Sequence, residues 1–144
     1  MNCGREGRRP QSVLEGRVAA DIQGKYWMNL LIVDDSPQVR EHLISLVSHL
    51  HNIQVVGEAG SGDEAVEAIR SLRPDVVILD LFVQGGGLET LQKIKMLSPD
   101  SVVVMLVYYP HSRYRDEYLQ AGADYVLDKL TEVKRVSQVL EALV

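Results

Sequence analysis

The chain has a single cysteine, Cys3, among its 144 residues, which excludes an internal disulfide and fits a reducing compartment. No segment approaches the ~18 consecutive apolar residues that a membrane-spanning helix needs. The first residues lack the apolar core of a secretory signal. There is no internal repeat, no linker and no second-domain boundary, and the length suits one domain with a full core. Positive charge is scarce over most of the chain. Residues 28–144 hold ten Lys/Arg against seventeen Asp/Glu, net −7, whereas residues 1–27 hold five against three, net +2. An acidic body argues against direct nucleic-acid binding. The basic segment is rich in glycine and arginine and has no sustained apolar period, so residues 1–27 read as a flexible N-terminal extension and residues 28–144 as the folded domain.

The acidic residues are not scattered. Leu30-Leu31-Ile32-Val33 runs into Asp34-Asp35, Val76-Val77-Ile78-Leu79 runs into Asp80, and Tyr125-Val126-Leu127 runs into Asp128-Lys129. Short apolar runs bounded by polar residues read as strands buried on both faces. In an open parallel sheet the ligand site lies just beyond the carboxyl ends of the strands. The three runs therefore deliver several carboxylates and one ammonium to a single crevice, a donor set suited to a divalent cation and a phosphoryl group.

The segments between fit that plan. Ser36-Pro37 predicts a helix start, with a helix to about Leu50 whose apolar face is Val39, Leu43, Leu46, Val47 and Leu50. Residues 53–56 read as a strand, Asp63 opens a helix that Pro74 stops, and Gln84-Gly85-Gly86-Gly87 reads as a flexible loop. Leu88, Leu91, Ile94 and Leu97 stripe a third helix. Residues 102–107 are a buried strand, residues 112–120 a fourth helix, and Gly122 suits the residue just past its end. Thr131 is placed to cap a last helix striped by Val133, Val136, Leu140 and Leu143. Five strands alternating with five helices predict an α/β three-layer sandwich, a parallel sheet with right-handed crossovers and helices on both faces.

Residues 29–143 resemble a response-regulator receiver domain of two-component signalling. The resemblance rests on Leu31-Ile32-Val33-Asp34-Asp35-Ser36-Pro37, Val77-Ile78-Leu79-Asp80-Leu81, and Ala121-Gly122-Ala123-Asp124-Tyr125 through Asp128-Lys129, in that order. It implies the flavodoxin-like (CheY-like) sheet of order 2-1-3-4-5. It implies Asp80 as phosphoacceptor and Mg²⁺ (or Mn²⁺) held by Asp35, by Asp34 partly through water, by an Asp80 oxygen and by the backbone carbonyl of Phe82. Lys129 would pair with a phosphoryl oxygen. The implied donor is a phosphohistidine on a histidine kinase or phosphotransfer protein. The implied output is contact with a downstream protein in the cytoplasm, with no membrane, no direct nucleic acid and no enzymatic activity beyond the domain's own phosphorylation and dephosphorylation. The chemistry needs these residue types. Mg²⁺ takes oxygen ligands, a cation relieves the repulsion of packed carboxylates, and lysine neutralises phosphoryl charge by position.

The chain departs from the family pattern at several positions. Val107 stands where a Ser/Thr would bind the incoming phosphoryl, and valine donates no hydrogen bond. Val126 stands where an aromatic couples to that hydroxyl; Tyr125, one place earlier, points to the other face of the strand. Both halves of the usual switch are thus missing. Gln84 replaces a common proline, and the loop before Leu88 is one residue shorter. Phe82 and Tyr108 are large where the family has smaller or polar groups, and are expected to shield the site from water and small donors. Tyr109, Tyr114, Tyr118 and Tyr125 fall in the region that the family uses for dimers and targets, the fourth helix, fifth strand and fifth helix.

Two functions follow. One is a stand-alone phosphoacceptor receiver, favoured by Asp34, Asp35, Asp80 and Lys129. The other is a phosphorylation-insensitive dimerisation or docking module, favoured by Val107 and Val126. A phosphatase of the aspartate-nucleophile kind is set aside because Phe82 stands where its second aspartate would be. A flavin site is set aside because Asp34-Asp35 would repel its phosphate.

Overall fold

The computed structural model describes residues 27–108 and 112–143. Strands β1 (Met28–Val33), β2 (Ile53–Ala59), β3 (Val76–Asp80), β4 (Val102–Val107) and β5 (Tyr125–Asp128) form one sheet in the order β2-β1-β3-β4-β5. Every pairing is parallel. Helices α1 (Pro37–Val47), α2 (Gly62–Leu72), α3 (Gly87–Leu97), α4 (Ser112–Gln120) and α5 (Arg135–Leu143) connect and follow the strands. The predicted fold class and strand order are those observed. The chain reverses its direction of travel across the sheet at β1, which opens a crevice at the carboxyl ends of β1 and β3.

Strand alternation divides the core in two. Leu30, Ile32, Val76, Ile78, Val104 and Leu106 pack on one face with Leu43 and Val47 of α1 and Val136, Leu140 and Leu143 of α5. Leu31, Val33, Val77, Leu79, Val103, Met105 and Val107 pack on the other with residues of α2 and α3. Every residue of β3 and β4 is buried, as their unbroken apolar runs require.

Helix starts follow the capping chemistry in the sequence. Ser36 Oγ accepts from the Val39 N–H at 3.3 Å with Pro37 in the first turn. Ser61 Oγ accepts from Glu64 N–H, and Glu64 Oε1 reaches back to the Gly60 N–H at 2.7 Å, close to a capping box. Other boundaries differ from expectation. The first helix ends at Val47 rather than Leu50; the Leu50 N–H bonds to the Val47 carbonyl in a turn, and Leu50 still packs on the core, so the apolar period outlasts the helix. The second helix opens at Gly62 rather than Asp63. Thr131 caps no helix: α5 begins at Arg135, and residues 129–134 form turns in which Val133 still reaches the core.

Candidate functional site

Three strand ends converge. Asp34 follows β1, Asp80 closes β3, and Lys129 follows β5. Lys129 Nζ lies 2.7 Å from Asp34 Oδ2 and 3.1 Å from Asp80 Oδ1. The two carboxylates are 1% and 3% exposed, and the lysine side chain 11%. Asp34 is held further: its Oδ1 accepts from the Ser36 N–H at 2.9 Å, and its carbonyl accepts from Arg40 Nη1 at 2.6 Å. Arg40 in turn pairs with Glu58 on β2. Asp34 thus serves both as a local helix-start partner and as a member of the site.

Asp35 is exposed beside this pair. One oxygen from each of Asp34, Asp35 and Asp80 lies within 4.8 Å of the others. The donors are all carboxylate oxygens, the type that Mg²⁺ takes. The residues therefore fit a divalent cation.

Burial pushes the Asp80 carboxyl above the usual carboxylate range; the Lys129 charge pulls it down and the Asp34 charge pushes it up again. Burial also works against a charged Lys129. Hydrogen bonds and charges from both carboxylates outweigh it, so the lysine holds its proton above its ordinary range.

The turn after β3 is pinned rather than flexible. The Leu81 N–H donates to the Leu106 carbonyl, the Gly62 N–H donates to the Gln84 carbonyl at 2.8 Å, and Ser61 and Gln84 form an isolated bridge. The Gly87 N–H donates to the Leu81 carbonyl, and a Cβ on Gly87 would run into the Leu81 backbone. Of the three glycines that look like flexible linker in the sequence, Gly87 is there for close approach, and Gly85 and Gly86 for backbone with φ of 96° and 91°, which favours glycine.

Phe82 projects from this turn, 62% exposed, and its ring stacks on Tyr108 with centroids 6.0 Å apart. Lys129 Nζ lies 5.5 Å from the Tyr108 ring centroid. The two aromatics form a wall on one side of the carboxylates. Next to it, between α1 and the β5–α5 turn, is a groove of about 320 Å³ lined by Gln38, His42, Leu43, Tyr108, Lys129 and Leu130 among others.

Val107 and Val126 are both buried in the same apolar cluster, while Tyr125 packs against the opposite one, as alternation predicted. Tyr118 and Tyr125 are partly buried on opposite faces of the sheet, so they do not form one patch. Tyr109 and the Tyr114 side chain lie outside the described residues. Sequence reasoning passed over Arg40, Arg115 and Glu132. The one signal in the sequence for Glu132 was its spacing: an acid four residues after Asp128 in a turn that must expose backbone N–H groups.

A doubly wound sheet of this order, with paired acids and a lysine across its switch point, defines a flavodoxin-like α/β domain. The profile of the response regulator receiver domain matches residues 30–141, and the chain belongs to that family, the receiver domains of two-component signalling. It is 37% identical over 97 residues to the response regulator GacA of Pseudomonas viridiflava, covering 67% of this chain and 45% of that protein. It is 36% identical over 103 residues to the response regulator UvrY of Escherichia coli K12, covering 71% and 47%. The chain spans about half the length of these curated relatives. Among solved structures, a LuxR-family two-component response regulator from Aurantimonas sp. SI85-9A1 superposes with a TM-score of 0.75 at 28% identity, covering 81% of this chain and 84% of that one. The response regulator domain of Thermotoga maritima CheB gives a TM-score of 0.70 at 28% identity, covering 81% and 93%.

Proposed function

We propose that the domain accepts a phosphoryl group on Asp80 from a phosphohistidine of a histidine kinase or phosphotransfer protein, in a reaction that depends on Mg²⁺ or Mn²⁺. The observation that carries this reading is a nearly buried ammonium shared by two nearly buried carboxylates at the ends of β1 and β3. Such a cluster is costly to a fold unless it is used. In the transfer, the phosphorus–nitrogen bond of the donor breaks, an Asp80 oxygen forms the new phosphorus–oxygen bond, and the departing imidazole regains a proton. Asp80 is the nucleophile. Lys129 moves its hydrogen bonds from the carboxylate onto a phosphoryl oxygen. Asp34, Asp35, Asp80 and the Phe82 carbonyl are the groups to hold the cation, which when bound neutralises charge on the transferring phosphoryl. Asp34 would then be shared between the cation and Lys129, which holds its Oδ2 at 2.7 Å.

Phe82 and Tyr108 narrow the approach, so that small donors react slowly and the acyl phosphate persists. The domain acts as a cytoplasmic phosphoacceptor rather than an enzyme on other substrates. It signals to a downstream protein, or to a second copy, through α4, β5 and α5; Tyr109, Tyr114, Tyr118 and Tyr125 are the interface candidates, with Tyr118 and Tyr125 on opposite faces of the sheet rather than in one patch. No helix among the described residues is long and apolar enough to cross a membrane.

A second reading, a docking or dimerisation module indifferent to phosphorylation, is favoured by one observation: Val107 is buried in apolar surroundings where a hydroxyl would be needed. Incubation with Mg²⁺ and a phosphohistidine protein separates the two readings. Phosphoryl uptake that Asp80→Asn abolishes supports the first, and Mg²⁺ binding without uptake supports the second.

A further inference from the structure

Strand β5 is the last in the sheet and, among the described residues, pairs only with β4, which leaves its other edge open there. Two backbone groups on β5 are met by side chains. The Val126 carbonyl accepts from Arg115 Nη1 of α4 at 2.7 Å, and the Asp128 N–H donates to Glu132 Oε1 at 2.9 Å. Arg115 and Glu132 also face each other, with Nη2 3.6 Å from Oε1. Arg135, at the start of α5, adds a second cation on Glu132 Oε2 at 2.8 Å. The strand edge is thereby closed by an ion pair that joins α4 to the turn before α5.

That turn is where Lys129 stands. Its own N–H donates to the Val107 carbonyl at 2.7 Å, on the β4 side. Asp128 Oδ1 accepts from the N–H groups of Leu130 and Thr131. The backbone is thus fixed on both sides of the lysine, by Glu132 before it and by Asp128 after it.

We infer that Glu132 is a positioning residue for Lys129, and that the Arg115–Glu132 pair carries the state of Asp80 to α4. This rests on the phosphoacceptor reading. A phosphoryl on Asp80 brings new negative oxygens to an ammonium that now divides itself between Asp34 and Asp80. Lys129 moves toward them, and the displacement reaches the Asp128 N–H and its Glu132 partner. Arg115 then registers it at α4. The hydroxyl and aromatic that would otherwise link the site to this face are replaced by Val107 and Val126, both buried among apolar groups. The ion pair supplies a polar connection beside them. The Glu132 carboxyl is held below its usual range, chiefly by the Asp128 N–H, and so stays charged at neutral pH.

The test uses the full chain with Mg²⁺, beryllofluoride as a stand-in for the acyl phosphate, and hydrogen exchange read on peptides covering α4 and the β5–α5 turn. In wild type, beryllofluoride changes exchange in both. In Arg115→Met the turn still responds, while the α4 response falls about two- to fivefold, the range for an ion pair that remains partly exposed. Arg115→Lys restores most of that response. Glu132→Gln slows phosphorylation of Asp80 by phosphoramidate by a similar factor. An α4 response in Arg115→Met equal to that of wild type overturns the inference, as does a wild-type α4 that ignores beryllofluoride although Asp80 takes up phosphoryl. A wild-type chain that neither takes up phosphoryl nor responds to beryllofluoride overturns the phosphoacceptor reading as well.

Discussion

Lys129→Met is the most informative single substitution for the site's energetics. The lysine lies 2.7 Å from Asp34 and 3.1 Å from Asp80, and both acids are almost fully buried. Methionine fills much the same volume but leaves two like charges facing each other with no cation. Removing one partner of such a buried pair costs about 3–5 kcal/mol, because the remaining charge is left without compensation. For a domain of this size that lowers the melting temperature by roughly 10–20 °C. Mg²⁺ restores the missing charge, and at one hundred times its dissociation constant it returns about 2.7 kcal/mol. The pH dependence has a definite sign. Burial and Asp34 raise the Asp80 pKa above its unfolded value. A raised carboxyl gives stability that is present in acid and lost as pH rises through the folded pKa. Without Lys129 pulling the other way, that loss is larger, so metal-free Lys129→Met should fall behind wild type progressively above pH ~4. Circular-dichroism melts in EDTA and in Mg²⁺, across pH 4 to 8, make the comparison. A metal-free mutant that melts within ~2 °C of wild type at pH 7, less than 1 kcal/mol shifts a domain of this size, refutes the reasoning.

Three further outcomes follow from the same geometry. Asp80→Asn removes an ionisation that the fold resists, so the metal-free protein should gain stability at pH 7, with the gain vanishing below pH ~4, where aspartate is protonated in the unfolded chain; a thermal melt that shows a loss instead contradicts the upward shift of Asp80. Tyr108→Ala opens the aromatic wall and should raise the hydrolysis rate of phospho-Asp80 about tenfold, ~1.4 kcal/mol off the barrier, whereas Tyr108→Phe keeps the ring and the slow rate; equal decay rates for all three proteins dispose of the shielding role. Gly87→Ala forces a methyl into the Leu81 backbone and should cost about 2–4 kcal/mol in urea denaturation, against a change below ~0.5 kcal/mol for the exposed Lys93→Ala control.

The sheet and the acids at its strand ends could be read from the sequence because both rest on local pattern. Unbroken apolar runs identify β1, β3 and β4, and the residue that ends each run lands at the crevice whatever the helices do in detail. Contacts between different loops carry no such pattern. The stack of Phe82 on Tyr108 depends on where two turns place their rings, and the bond from Lys129 to Asp34 spans 95 positions. Gln84-Gly85-Gly86-Gly87 looks flexible by composition, yet Gly85 and Gly86 take positive φ, Gly87 lies against the backbone of Leu81, and Gln84 bridges to Ser61, which only the fold brings near. The helix limits at Leu50 and Thr131 misled for a different reason. Apolar residues in the adjoining turns, Leu50 and Val133, also pack on the core, so the hydrophobic period runs on where the helical hydrogen bonds do not.

Whether Asp80 takes a phosphoryl group is decided most directly by intact mass. The full chain is incubated with Mg²⁺ and, in parallel, with phosphoramidate and a phosphohistidine protein, beside Asp80→Asn. A gain of about 80 Da in the wild type that is absent from the mutant is the predicted result. No gain from either donor in a protein that binds Mg²⁺ contradicts it.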